Sequence, residues 1–294
     1  MAEMPEHQGS YDSDPDGAFL KDLPPLIKRY TFQGKEQFYD ILETETARFE
    51  ASADTSEFLL FHANKETIET LFDPLKEDTD IAKFCSSFDT NERLFLVSMP
   101  LGPHNTATDE MNSLIRKALR PMGLDYALRE YPGITVQGES RGKVPDYGWG
   151  PKRRPRGPSV PLEIAFSESD SKLNSDVRFW LNPDDGNADI CLTLRINKSR
   201  PEIRVEKWER QNNRIHRSQA IWMTKERNHA KAEVIVTGHP LIIPFDALFH
   251  RQPVEPREKD LEIPEQQLGA LAASIWEEQG WYLGSTEIPD IDTH

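Results

Sequence analysis

Two carboxylates in one short stretch of the chain could do chemistry together. Asp146 follows Pro145, and Glu163 sits in the apolar run VPLEIAF. A metal-dependent phosphodiesterase needs carboxylates that converge on Mg²⁺ or Mn²⁺ while leaving positions for water and a phosphate oxygen. A nearby lysine then orients the water or steadies developing charge. Side chains two apart on a strand face the same way, so a lysine two residues after Glu163 would share its pocket; Ala165 stands there instead. Lys172 is the nearest substitute, in the first turn of the following helix with a stem long enough to fold back. Arg178 is a weaker one. Glu110 and Glu139 could supply extra carboxylates, and Gln137 could hydrogen-bond a bound water. Plainer readings stay open: Asp146 as a turn residue after proline, Glu163 as a strand-edge carboxylate paired with an arginine.

The string Lys152, Arg153, Arg154, Pro155, Arg156 connects the two carboxylate segments and could contact a nucleic-acid backbone beside them. It would equally serve as a nuclear-import signal or a solvated loop tip. Net charge is −15, yet residues 141–230 carry 18 bases and 12 acids while both flanks are acidic. A phosphate-facing surface within an acidic protein fits that asymmetry, as does simple pairing between basic strands and acidic flanks.

Elements must position these groups. Residues 1–22 are acidic, with little to bury, and are expected to be disordered. Residues 23–93 read as an α-rich N-terminal extension with helices around Phe38–Leu42 and Lys65–Phe72 and a short buried element at Ser56–Ala63. ERLFLVSMP reads as a strand, and a helix is expected from Thr106 or Thr108 to about Pro121. ITVQGE and VPDYGW read as the two strands of a hairpin, VPLEIAF as a third strand. In SDSKLNSDVRFWL, Leu173, Val177, Trp180 and Leu181 change the period to that of a helix packing on a sheet. DICLTLRI, EIRVEKWE, AIWMT and AEVIVTG add strands, and Glu265–Gln279 is a helix. The order gives an α/β fold with a mixed central sheet flanked by helices over residues 94–283, and a frayed tail over 284–294.

Cys85 and Cys191 are far apart and in no metal-type spacing, so each reads as a small buried hydrophobe. No apolar run is long enough to span a bilayer, and no charged-then-apolar leader opens the chain; a soluble protein of the nucleus or cytoplasm is expected, with DNA as the candidate partner. His104 is a capping or packing residue or lies near the site. Trp180, Trp208, Trp222 and Trp276 read as core, and Trp149, between glycines, as partly exposed.

Pro145-Asp146, then Glu163 in PLEIAFSES, then a helix with an aspartate and an aromatic, resemble the PD-(D/E)XK nuclease-like superfamily, closest to the Uma-type restriction endonucleases and their fungal relatives. The likeness spans about Met99 to Trp208. It implies a restriction-endonuclease-like core and Mg²⁺- or Mn²⁺-dependent hydrolysis of DNA, with Asp146 and Glu163 as metal ligands. The superfamily lysine has no match at Ala165. A displaced Lys172 would restore an active nuclease; without one, the chain is an inactive nuclease-fold module that binds nucleic acid or protein.

Overall fold

The computed structural model describes residues 23, 27–51, 56–73, 80–99, 101–138, 140–153, 157–166, 170–225 and 233–280. The expected tails at 1–22 and 284–294 lie outside them, as do Glu139, Arg154 and Arg156. In chain order the first elements are β1 (Lys28–Thr31), α1 (Lys35–Ala51), β2 (Phe58–His62), α2 (Lys65–Leu71), β3 (Cys85–Asp89) and β4 (Leu94–Ser98). The middle holds α3 (Gly102–Leu119), β5 (Leu128–Glu130), β6 (Val136–Gln137), β7 (Arg141–Lys143), β8 (Tyr147–Pro151), β9 (Val160–Phe166), α4 (Asp170–Leu181), β10 (Ile190–Ile196), β11 (Glu202–Gln211) and β12 (Arg214–Thr224). The last are β13 (Ile235–Thr237), β14 (Leu241–Ile243), α5 (Phe245–Phe249), β15 (Leu261–Ile263) and α6 (Glu265–Glu278).

A seven-stranded sheet has the order β13-β12-β11-β10-β9-β8-β5, and a six-stranded one β1-β2-β4-β3-β7-β6. Both are mixed: β9 and β10 run parallel, as do β1 and β2, among otherwise antiparallel neighbours. The mixed α/β architecture therefore stands as the order of elements predicts. β9 is buried at every position, as expected of a strand covered on both faces. On one face Leu162 and Ile164 join the core that includes Met111 and Ile115 of α3 and Leu271 and Ile275 of α6. On the other, Val177 and Trp180 of α4 pack with Cys191 and Trp208 of the large sheet and with Phe58, Leu60, Leu94 and Leu96 of the small one. Helix α4 thus lies between the two sheets.

Three expectations change. The region 23–93 contributes three strands beside its two helices, and β3 pairs with β7, so it shares a sheet with the segment leading into Asp146. Helix α3 starts at Gly102, with Pro103 in its first turn. A proline there is pre-organised for a helix start, where no donor is lost. VPDYGW is not the partner of ITVQGE: β6 pairs with β7, and the chain then leaves the small sheet and enters the large one as β8, between β9 and β5.

Candidate functional site

That crossing builds the site. Lys143 is the last residue of β7, held on both sides by pairing with Ser87 and Val136. Its side chain is 0% exposed. Its Nζ lies 3.0 Å from Glu163 Oε2 and 2.8 Å from Asp176 Oδ1, with Ser86 Oγ at 3.5 Å. Three residues on, Asp146 Oδ2 accepts a 2.6 Å hydrogen bond from the Ile164 backbone N–H. Asp146 Oδ1 lies 3.1 Å from His104 Nε2, but the imidazole aligns too poorly for a hydrogen bond, and the attraction is electrostatic. Asp146 therefore pins β9 and faces α3.

Glu163 is buried in mid-β9. Its Oε1 accepts a 2.5 Å hydrogen bond from the indole Nε1 of Trp180. Lys172, Asp176 and Trp180 recur every fourth residue and form one stripe of α4. Within it Lys172 pairs with Asp176, and its ammonium sits 5.3 Å from the centroid of the Phe58 ring. The result is a buried alternation of charge, Glu163–Lys143–Asp176–Lys172, closed at one end by an indole.

The environment moves each group. Burial pushes the Glu163 carboxyl up to about 8, with Asp176 and Asp146 adding to it against Lys143, although both its oxygens face donors. Burial opposes the Lys143 ammonium, but Asp176 and Glu163 outweigh that and hold it above its ordinary range. Lys172 goes the other way: burial, joined by repulsion from Lys143, outweighs Asp176 and lowers it. Burial also works against the charged forms of Asp146 and His104, and each wins by facing the other, Asp146 being lowered and His104 raised.

The upward shift of Glu163 carries a pH expectation. The folded acid holds its proton more tightly than the unfolded one, so its contribution to stability is complete below about 4.5 and is lost as pH rises toward about 8. Glu163→Gln should flatten that part of the urea-denaturation profile between these limits. A profile of unchanged slope in the variant would assign the pH dependence to other groups.

The residues singled out in the sequence separate into those that meet and those that do not. Asp146, in the bend just before β8, and Glu163 of β9 lie opposite each other one residue beyond the Tyr147–Leu162 pair. Lys172 reaches Asp176 rather than Glu163; the lysine that touches Glu163 is Lys143. Glu110 accepts from Ser274 across the α3–α6 interface, and Gln137 donates to the Phe72 carbonyl, so neither joins the cluster. Lys152 and Arg153 are exposed at the far end of β8, about 20 Å along the strand from Asp146 at ~3.3 Å per residue, not beside the carboxylates. Trp149 is buried and donates to Asn112 Oδ1 at 3.0 Å, whereas Trp222 is 38% exposed.

No family model matches the chain, and no curated protein does. Among solved structures, one from Anabaena variabilis ATCC 29413, described as "a putative nuclease belonging to DUF820", is similar at 15% identity, covering 64% of this chain and 90% of that one with a TM-score of 0.37. No helix among the described residues is long and apolar enough to cross a membrane.

The implied divalent cation meets a closed donor set. Both Glu163 oxygens and one Asp146 oxygen already face N–H groups or an ammonium at 2.5–3.0 Å, and the remaining Asp146 oxygen faces His104. Mg²⁺ takes near-octahedral oxygen ligands and keeps several waters, which this packing leaves no room for. Among the described residues no group of three or more His, Cys, Asp or Glu side chains is arranged to hold a metal ion. As arranged, the residues do not fit the cation, and the Lys143 ammonium occupies the place between Glu163 and Asp176.

Proposed function

We propose that this chain is a nucleic-acid-binding module built on a nuclease-like fold, its carboxylate centre neutralised by lysine in place of metal. Lys143 is the observation that supports this most: fully buried, it bridges Glu163 and Asp176 from a different sheet. A phosphodiesterase needs its carboxylates open on one side to substrate and water; Glu163, Asp176, Lys143 and Lys172 are all buried. The succession of Pro-Asp, buried strand with glutamate, and amphipathic helix supports the nuclease-like part. It is also what gives the chain its likeness to the Uma-type restriction endonucleases and their fungal relatives.

A second reading, a metal-dependent endonuclease acting on DNA, is favoured by the crowding of Asp146, Glu163 and Asp176. A cation of higher charge would relieve the pressure that raises Glu163. Mg²⁺ or Mn²⁺ would then be held by Asp146 and Glu163 once Lys143 moved aside, and Lys143 rather than Lys172 would stand in for the superfamily lysine.

Titration calorimetry with MgCl₂ and MnCl₂, beside incubation with supercoiled plasmid, separates the two. The binding module is expected to give no heat beyond dilution at millimolar metal and to leave the plasmid intact. Mn²⁺-dependent nicking that disappears in Asp146→Asn and Glu163→Gln would instead establish the endonuclease.

A further inference from the structure

Part of the excess positive charge of the middle of the chain lies on one face of β10–β12. Residues 195–225 hold nine bases and three acids in a protein of net charge −15. Across the large sheet, Ala165 of β9 is in register with Arg195 of β10, Arg195 with Arg204 of β11, and Arg204 with Trp222 of β12. Directly opposed residues share a face, and Ala165 lies two residues past Glu163. The face that buries Glu163 under α4 therefore continues outward into a row of two arginines and an indole.

That row opens to solvent. Arg195, Asn197, Glu202, Arg204 and Trp222 line an open notch of about 60 Å³, enough to admit phosphate oxygens. The Arg204 guanidinium carbon is 5.2 Å from the Trp222 ring centroid. Trp149, Trp180, Trp208 and Trp276 are buried; Trp222 alone among these five is more than a third exposed. Arg210 and Arg217, both exposed and on the Trp208 face, continue the basic surface toward the β11–β12 turn. Glu206 offsets part of it, pairing with Arg204 at 3.4 Å and Arg217 at 2.6 Å.

We propose that this face binds single-stranded nucleic acid, an unpaired base stacking on Trp222 while Arg195 and Arg204 hold the adjoining phosphate. Arg210 and Arg217 carry the backbone onward. Stacking requires a base free of its partner, and an indole beside guanidinium groups suits any base sequence. A duplex would offer the phosphates but not the base face. This names the ligand and surface of the binding reading above and rests on it; it needs no metal.

Fluorescence anisotropy of a labelled oligo-dT of about a dozen nucleotides, and of a duplex of equal length, tests it in buffer containing EDTA. The chelator keeps the result independent of whether the carboxylate centre takes a metal. The full chain should bind the single strand more tightly than the duplex. Trp222→Ala should weaken single-strand binding by about tenfold or more, and Trp222→Phe should restore most of it. The exposed double variant Arg210→Gln, Arg217→Gln should flatten the log–log salt slope by about 1.4, at ~0.7 for each phosphate no longer neutralised. Lys152→Ala with Arg153→Ala should change neither quantity. Unchanged affinity in Trp222→Ala and the double variant, no single-strand binding by the wild type, or binding only to phosphatidylserine vesicles would each overturn the proposal.

Discussion

Lys143→Met should cost about 3–5 kcal/mol of stability above about pH 8, where Glu163 is ionised, because it strands two carboxylates in the interior without the cation that bridges them. The linear urea midpoint reports this directly. Methionine fills much of the lysine's volume, so the loss measures charge and not a cavity. Restoring balance by removing the stranded charges, in Lys143→Met with Glu163→Gln and Asp176→Asn, should return a large part of it, since replacing a whole buried ionic group costs far less than breaking it. The shorter Lys143→Ala goes further: if the ammonium holds the place of a cation, Mn²⁺ should stabilise that variant in a concentration-dependent way and leave the wild type unmoved. A cost below about 1 kcal/mol for Lys143→Met would mean that the network is already discharged or hydrated.

The second large effect is expected at Asp176, the acid that two lysines share. Asp176→Ala should cost about 3–5 kcal/mol near neutral pH, and its pH dependence has a definite sign. Lys172 is already held below its ordinary range, and losing its partner lowers it further. The folded state then binds fewer protons than the unfolded state between the depressed value and the usual lysine value of about 10.4, so the variant's stability rises with pH across that window. Denaturation at pH 6 and pH 9 checks it: the deficit relative to wild type should shrink at the higher pH. A deficit that stays constant would place the lost energy in packing.

Much of the large sheet was legible in the sequence, because periodicity reports burial. VPLEIAF is short, continuous and apolar, as a central strand must be. Leu173, Val177 and Trp180 mark the packed face of α4, and all three are buried. The small sheet was harder to read. β3, CSSFD, is polar by composition and carries a register shift between Cys85 and Ser87; its pairing with β7 joins segments more than fifty residues apart. Lys143 was missed for a related reason. Lysine is almost never fully buried unless paired, and its partners, Glu163 and Asp176, lie on another sheet and on a helix. A lysine three residues before the Pro-Asp aspartate, inside the apolar VP context, was the available signal. Trp222 misled in the opposite direction: an indole in AIWMT looks apolar, but alternation places it opposite Ile221 and Met223, which take the buried face.

The pairing of β3 with β7 bears on how portable this centre is. Every charged member of the cluster, from Lys143 to Asp176, is encoded within a span of some three dozen codons, so a transcript beginning near Leu94 would contain them all. It would lack β3, the strand that grips β7, and β2, the strand that walls α4 with Phe58 and Leu60. Such a product would inherit the letters of the motif without the mould that sets Lys143 between its acids. Recombination can therefore move this centre intact only as one unit reaching back to the first strands.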